Sequence, residues 1–224
     1  MLRINRYLLA TNNSKVRAAN LYKANLKTSQ AFHPLLVVFE VILRNRLNEM
    51  LSFHFKDQDW IINQKKGFMS DPSLKFIYKR TGEEKINDFL LREINKVERK
   101  LNKGKSKVSS GKIMAEQTFG FWTSFFDMHH YRLLRGKPIQ IFLSLPSGYG
   151  RKEINDELEK IRRFRNRINH NEPICFKGNK IDFTETLEVY KSIIDLLGWI
   201  DPEILKFIKG IDSVEKTIEK AKNI

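Results

Sequence analysis

Hydrophobic residues recur with helical spacing along most of this sequence. In residues 83–101, for example, Leu90, Ile94 and Val97 lie three or four positions apart, as on one face of an amphipathic helix. Between about residues 32 and 55, apolar side chains fall on nearly every side, which indicates a central helix buried all round. The pattern therefore predicts a protein built mainly from α-helices.

An exposed amphipathic helix is expected over residues 14–27, ahead of the central helix. Pro34 would then lie in the first turn of the central helix, where proline is tolerated because its missing N–H has no helical partner there. Asp71-Pro72 and Asp201-Pro202 both predict a helix that starts with an aspartate N-cap. Further helices are predicted at residues 153–170, 184–199 and 202–208, and from residue 213 onward.

Strand patterns are nearly absent from the sequence. Only residues 139–145 show a weak alternation of apolar and polar positions. Loops are expected at residues 56–70, 103–112 and 138–150, and none of them is long or polar enough to require two domains. We therefore expect residues 1–224 to form one all-α domain.

Basic residues outnumber acidic ones by a wide margin. The chain has 41 Lys and Arg against 26 Asp and Glu, and its formal net charge is +15. This excess predicts a polyanionic partner, with nucleic acid as the first expectation and an anionic membrane as the second.

The remaining composition narrows the class of protein. Cys175 is the one cysteine, so an internal disulfide and a cysteine-based zinc site are excluded. Because His129 and His130 are adjacent, they would diverge on a helix, and we expect no metal and no cofactor. The apolar run at residues 35–39 is too short to span a bilayer, and residues 1–10 lack the pattern of a signal peptide. These features predict a cytoplasmic protein that does not associate with a membrane.

Positive charge is concentrated in two segments. The first is a loop with Lys103, Lys105 and Lys107, which either binds RNA or is an ordinary solvated surface. The second is residues 161–170, which contain no acid and four arginines: Arg162, Arg163, Arg165 and Arg167. Their mutual repulsion costs stability unless an anion or acidic neighbours relieve it.

Both kinds of relief are expected for these arginines. Arg162, Arg163 and Arg167 are candidate RNA contacts. Glu159 and Arg163 have the favourable i,i+4 spacing for an ion pair, whereas Arg165 would have to find its acid on another element.

Arg165, Asn166 and His170 form the candidate catalytic motif. Arginine stays charged at any working pH and can clamp a phosphate, and histidine can pass protons near neutrality. Asn166 and His170 are four residues apart on one helical face, so the amide can hold the imidazole. Arg165 and His170 are about 140° apart on a straight helix. Both can reach one phosphate if the helix loosens near Pro173, or if two chains face each other.

His170 also has a purely structural interpretation. A histidine in the last turn of a helix complements the helix dipole, and Asn169 is a residue type that often ends helices. In that case His170 would be a helix cap and not a catalytic group.

The motif resembles the Arg-x(4–6)-His motif of HEPN domains, and the whole chain resembles the abortive-infection (Abi) family of bacterial HEPN proteins. Residues 39–46 read Phe-Glu-Val-Ile-Leu-Arg-Asn-Arg, similar to the Glu-x-x-x-Arg-Asn helix of that family. Residues 118–122 read Thr-Phe-Gly-Phe-Trp, similar to its Phe-Gly-x-Trp segment. Residues 165–174, with Leu-Gly-Trp-Ile-Asp-Pro at 197–202, resemble its C-terminal pattern.

The resemblance implies a HEPN-like helical bundle with additional helices that acts as a homodimer without metal or cofactor. It implies an endoribonuclease that leaves 2′,3′-cyclic phosphate and 5′-OH ends. The residues expected to support its motif are Glu40, Arg44, Asn45 and Asn169. Glu40 either pairs with Arg44 within the central helix, or orients Arg165 or Asn166.

Three functions remain open at this point. The first is a toxin-like ribonuclease of an abortive-infection or toxin–antitoxin system, restrained by an RNA or protein antitoxin. The second is a non-catalytic HEPN protein that binds a structured non-coding RNA. The third is a DNA-binding helical regulator, although no clear helix-turn-helix is present. Loss of cleavage in His170→Ala would separate the first from the second.

Overall fold

The computed structural model describes the backbone of residues 3–224 and the side chains from residue 4 onward. Within this range the chain is mostly helical, which confirms the all-α prediction. The α-helices are α1 (Arg3–Ala10), α2 (Lys15–Phe55), α3 (Trp60–Asn63), α4 (Phe89–Lys103), α5 (Ser110–Glu116), α6 (Phe119–Thr123), α7 (Met128–Leu133), α8 (Arg151–Asn169), α9 (Thr184–Ile200), α10 (Pro202–Ile208) and α11 (Val214–Lys222). Short 3-10 helices are Gln64–Lys66, Phe68–Ser70, Pro72–Leu74, Ser124–Phe126 and Lys137–Ile141.

The chain divides into two compact units. The first takes the chain up to Ile42, together with Leu143–Pro146 and Glu159–Ile224. The second consists of Leu43–Phe142 and Ser147–Leu158. The boundaries therefore fall inside the long helices α2 and α8, which contribute residues to both units. Each unit is discontinuous in sequence, and the single-domain prediction stays a prediction.

Two small hairpins correct the expected absence of strands. Strands β1 (Lys75–Ile77) and β2 (Glu84–Ile86) pair antiparallel, as do β3 (Phe176–Lys177) and β4 (Lys180–Ile181). The weak alternation at residues 139–145 does not correspond to a strand, because Lys137–Ile141 forms a 3-10 helix. Strands of two or three residues are too short to show an alternating pattern in sequence.

Helix α2 corrects the expectation of two separate helices at residues 14–27 and 32–55. It is continuous over 41 residues, with Pro34 inside it and not in a first turn. Proline within a helix costs about 3 kcal/mol. Phe32, Leu35 and Phe39 are 0% exposed, and burying each such side chain contributes about 1.5–3 kcal/mol. Packing around Pro34 therefore outweighs its helix-breaking tendency.

The core of the first unit includes the apolar face of α8. Ile161 and Phe164 are buried there, and Ile168 is half-buried. The Phe164 ring lies 4.8 Å from the Phe32 ring of α2, centroid to centroid. This contact packs the first-unit part of α8 against α2.

In the second unit, aromatic side chains make the core. Trp60 and Trp122 are 0% exposed, and both rings pack on Phe125, at centroid distances of 5.9 and 6.0 Å. These tryptophans are core residues and are not available to stack on bases.

Among the described residues, α2 is the one helix long and apolar enough by length and composition to cross a membrane. The core helices of soluble proteins share these properties. In the first unit Phe32, Leu35 and Phe39 of this helix are buried within the protein.

Candidate functional site

Arg165 on α8 forms a salt bridge with Glu40 on α2. The Arg165 Nη2 atom lies 2.9 Å from the Glu40 Oε2 atom, with the two side chains 30% and 21% exposed. The expectation that Arg165 finds its acid on another element is confirmed. Of the three partners considered for Glu40 (Arg44, Arg165 and Asn166), the structure shows Arg165. Because less than a third of each side chain is exposed, solvent screens this pair less than a surface ion pair.

Helix α8 ends in a tight cap at the motif. The last helical residue is Asn169, and the His170 N–H donates to the Asn166 carbonyl at 2.9 Å. Asn171 has φ +52°, and its N–H donates to the Ile168 carbonyl at 2.9 Å. The next N–H, that of Glu172, donates to the Arg167 carbonyl at 2.8 Å. This bond pattern is a Schellman motif with His170 at the C-cap.

The cap decides how the motif residues are presented. His170 occupies the capping position that its structural interpretation predicts, and the helix does not loosen before it. Asn166, Asn169 and His170 are exposed, whereas Arg165 is half-buried. The guanidinium of Arg165 is therefore partly shielded from solvent, whereas the imidazole of His170 is exposed. The predicted side-chain contact between Asn166 and His170 stays a prediction.

Buried hydrogen bonds fix the segment that follows His170. The Ile174 N–H donates to Oδ1 of Asn25 on α2 at 2.8 Å. The Ile174 carbonyl accepts from the Thr186 hydroxyl of α9 at 2.5 Å. Asn25 and Thr186 are 3% and 0% exposed. Both backbone groups of Ile174 are thus satisfied by buried side chains, which holds the segment against two helices.

Asn25 and Thr186 were not among the residues predicted from the sequence. A signal was present for Thr186, a polar residue on a helical face that is otherwise apolar, but not for Asn25, which is followed one turn later by Thr28 and Ser29. Buried polar residues have hydrogen-bond partners, but the sequence does not show which residue the partner is.

Arg167 of α8 makes further hydrogen bonds that hold the segment after His170. Arg167 Nη1 donates to Glu185 at 2.8 Å, and its Nη2 donates to the Pro173 carbonyl at 2.6 Å. The Arg167 side chain is 25% exposed. This arginine is already engaged in holding the loop, and its predicted contact with RNA stays a prediction.

Acidic neighbours also relieve Arg162. Arg162 donates to both Glu159 carboxylate oxygens, at 3.0 and 2.6 Å. The expected pair between Glu159 and Arg163 is wrong, because Glu159 bonds Arg162 at i,i+3 spacing. Arg163 is exposed. Charge crowding on α8 is therefore relieved mostly within the protein, and an RNA anion is not required for it.

The predicted RNA-binding lysines lie in the second unit. Lys103, Lys105 and Lys107 are exposed where α4 ends. Lys105 has φ +53°, and it caps α4 through an N–H that donates to the Asn102 carbonyl at 3.0 Å. The turn presents the three lysines to solvent, and their role with RNA stays a prediction.

Arg44 and Asn45 also belong to the second unit. They follow Glu40 along α2, and Arg44 is half-buried whereas Asn45 is exposed. Their expected support of the motif stays a prediction.

Cys175 is not suited to nucleophilic chemistry. It is 0% exposed, and burial raises the pKa of its thiol to about 12. Burial is also the main cause that raises the pKa of neighbouring Tyr7. Both groups are therefore neutral near pH 7, and the proton chemistry of this region falls to other residues.

The histidines of α7 have a structural contact. His130 Nδ1 lies 2.6 Å from Asp127 Oδ2, and the Asp127 carboxylate accepts the backbone N–H groups of His129 and His130. Burial acts to raise the pKa of Asp127, but hydrogen bonds with His130 hold it below its usual value. In the part of the chain that the structure describes, no group of three or more metal-binding side chains is present.

Comparison with known proteins adds no relative. No family model matches the chain, and neither does a curated protein or a solved structure. The resemblance to Abi and HEPN proteins therefore rests on the sequence segments alone.

Proposed function

We propose that this protein is a metal-independent endoribonuclease of the HEPN type, acting as a toxin in an abortive-infection or toxin–antitoxin system. The observation that supports this best is the Glu40–Arg165 salt bridge, because it orients an arginine that precedes the exposed C-cap residue of the same helix, His170, by five positions. A half-buried, oriented guanidinium and an exposed imidazole are the two kinds of group that RNA cleavage needs from a protein, and a second chain would bring an arginine and a histidine to one phosphate.

The chemistry uses the nucleophile of the RNA itself. The 2′-OH attacks the adjacent phosphorus as its proton leaves, the P–O5′ bond breaks, and the departing 5′ oxygen takes up a proton. His170 would carry out proton transfer. Arg165 would stabilise charge on the phosphorane through N–H donors. The products are a 2′,3′-cyclic phosphate and a 5′-OH.

One chain provides one such motif. Because removing and delivering the proton are separate tasks, two motifs in a homodimer would provide a histidine for each. We include a second copy of this chain, RNA and an RNA or protein antitoxin among the proposed partners, in the cytoplasm.

The alternative is a non-catalytic protein that binds a structured RNA. The internal pairing favours it, because Arg162, Arg165 and Arg167 each already bond an acid. Exposed lysines of the second unit would then provide most of the contacts to phosphate.

The decisive experiment is incubation of labelled, mixed-sequence RNA with the purified protein in EDTA. We expect cleavage with cyclic-phosphate ends, reduced at least 100-fold in His170→Ala and in Arg165→Ala. His33→Ala is the matched control, since His33 is also an exposed histidine of the first unit. Cleavage that survives in both motif variants would rule out the proposed mechanism. Tight binding without cleavage in every protein would favour the RNA-binding alternative.

A further inference from the structure

A small cavity lies directly beside the capped end of α8 in the first unit. It has a volume of about 240 Å³ and is lined by Ile4, Tyr7, Tyr22, Asn171 and Pro173. Asn171 follows His170 in the chain, and consecutive Cα atoms are only about 3.8 Å apart. The cavity is therefore adjacent to the proposed proton-transfer residue.

Two tyrosines contribute to the lining of this cavity. Tyr7 is 1% exposed and Tyr22 is 41% exposed, with centroids 5.3 Å apart in an edge-to-face arrangement. Tyr7 also packs edge-on against Phe176 at 5.1 Å. Buried Tyr7 is thus held in place by its neighbours, whereas Tyr22 offers an accessible aromatic surface.

Asn171 adds a polar side chain to the lining of the cavity. Its amide carries both donors and an acceptor, and the Schellman cap fixes its backbone. An aromatic surface together with an amide is the combination by which proteins bind unstacked bases of single-stranded RNA.

A cation adjoins the aromatic cluster. The Arg6 guanidinium lies 4.5 Å from the centroid of the Phe176 ring and donates to the Gly178 carbonyl. No acidic side chain among residues 4–224 forms a salt bridge with Arg6, in contrast to Arg167, which pairs with Glu185. A positive charge that no acid neutralises favours an anionic ligand over a neutral aromatic one.

The size of the cavity restricts the ligand further. Sites for whole drug-sized molecules measure about 300–1,000 Å³, so about 240 Å³ suits a single ring system. We propose that this cavity binds the base of one nucleotide next to the cleaved phosphate and gives the enzyme a base preference. The inference rests on the proposed ribonuclease function and adds the group that selects the cleavage position.

Substitutions at two positions separate stacking from hydrogen bonding. Tyr22→Ala removes the accessible ring, and Tyr22→Phe keeps it. Asn171→Gly removes the amide while glycine retains the positive φ of the cap. Tyr149→Ala in the second unit is a matched control, since Tyr149 is 40% exposed.

Two measurements are made on each protein. The first is the sequence at the cut sites in a randomised RNA. The second is binding in EDTA to the four homopolymeric RNA hexamers, in a His170→Ala background that does not cut. We expect Tyr22→Ala to weaken binding of the preferred hexamer about 5- to 150-fold. Asn171→Gly should flatten the preference among bases, and Tyr22→Phe and Tyr149→Ala should change neither measurement.

The outcomes distinguish this inference from the proposed function. If the protein cuts RNA, but Tyr22→Ala and Asn171→Gly keep its cut sites and affinities, the base site is wrong and the ribonuclease stands. If no protein cuts, but Tyr22→Ala loses binding and Asn171→Gly loses preference, the base site stands and the ribonuclease is wrong. Should Tyr22→Ala fail to fold, Asn171→Gly decides the question.

Discussion

The Glu40 carboxylate of α2 lies 2.9 Å from the guanidinium of Arg165 on α8. This salt bridge joins the two helices that pack through Phe32 and Phe164. The bridge orients Arg165, the half-buried arginine of the motif. His170, at the cap of α8, is exposed to solvent. The pair therefore links the core of the first unit to the proposed chemistry.

We predict that Glu40 acts as a positioning residue for Arg165. Glu40→Gln should lower kcat about 10- to 100-fold with a smaller change in KM, because a misplaced guanidinium loses contact mainly with the transition state. Steady-state cleavage of a short RNA measures both constants. Glu40→Asp should restore part of kcat.

Glu49→Gln is the matched control for this prediction. Glu49 is on the same helix, but its side chain is 75% exposed and its pair with Arg46 is a local one. Its replacement should leave kcat unchanged. Equal kcat values for wild type and Glu40→Gln would contradict the positioning role.

The hydrogen bond from the Thr186 hydroxyl to the Ile174 carbonyl predicts that Thr186→Val lowers the stability of the protein. The substitution keeps the volume but leaves the buried Ile174 carbonyl without the Thr186 hydroxyl, which costs about 1–3 kcal/mol. Urea denaturation measures the free energy of unfolding. Cleavage should also fall, because the segment after His170 loses one of its attachments.

A second threonine gives the comparison. Thr217 is half-buried, and its hydroxyl bonds the Ser213 carbonyl one turn earlier within α11. Thr217→Val should lose less free energy of unfolding than Thr186→Val, and it should leave cleavage intact. Equal losses of unfolding free energy in the two variants would contradict a particular role of the Thr186–Ile174 hydrogen bond.

The loop after α4 predicts a salt-dependent contribution to RNA binding. Replacing Lys103, Lys105 and Lys107 together with alanine should weaken binding at low salt. The slope of log affinity against log salt should fall by about 2, as expected for three phosphate contacts with single-stranded RNA. Fluorescence anisotropy at several salt concentrations gives this slope.

A triple variant with the same change in net charge controls for long-range electrostatics. Lys191, Lys206 and Lys222 each pair with an acid, so their replacement should change the slope less. If both triple variants lower the slope equally, the loop has no specific role in binding.

The Asp127–His130 contact predicts acid sensitivity of the second unit. Hydrogen bonds with His130 outweigh burial and hold the pKa of Asp127 below its ordinary value of 3.8. The native state therefore favours the carboxylate. Its contribution to stability is complete above pH 3.8, and it is lost as the pH falls through the lowered folded-state pKa.

Asp127→Asn should thus be less stable than wild type near neutral pH, by about 1–2 kcal/mol. The difference should shrink as the pH falls below 3.8. Chemical denaturation at several pH values measures it. Asp71→Asn provides a comparison of magnitude: hydrogen bonds with Ser73 also lower the pKa of Asp71, but this aspartate caps only a short 3-10 helix, so its replacement should cost less stability. A difference that does not depend on pH would contradict the role of the carboxylate.

Local patterns in the sequence predicted most of the helices. Apolar spacing placed α8 and α9 within two residues of their ends. The Asp71-Pro72 and Asp201-Pro202 pairs start helices with the expected aspartate caps. These features could be read from sequence because helix periodicity and caps depend on residues only a few positions apart.

Local sequence patterns did not predict that α2 is continuous, and they did not predict which acids pair with the arginines. Local rules place Pro34 at a helix start, but tertiary packing keeps it inside one long helix. The same rules favour Glu159 with Arg163, whereas the structure pairs Glu159 with Arg162.

By itself, the sequence determined the helical class, the excess of positive charge and a motif with one arginine and one histidine. Only the tertiary structure decided that Arg165 bonds Glu40, that Asn25 and Thr186 hold the segment after His170, and that a cavity lies beside it. Hydrogen-bond and ion-pair partners from distant segments depend on how the helices pack, and local sequence patterns do not determine that packing.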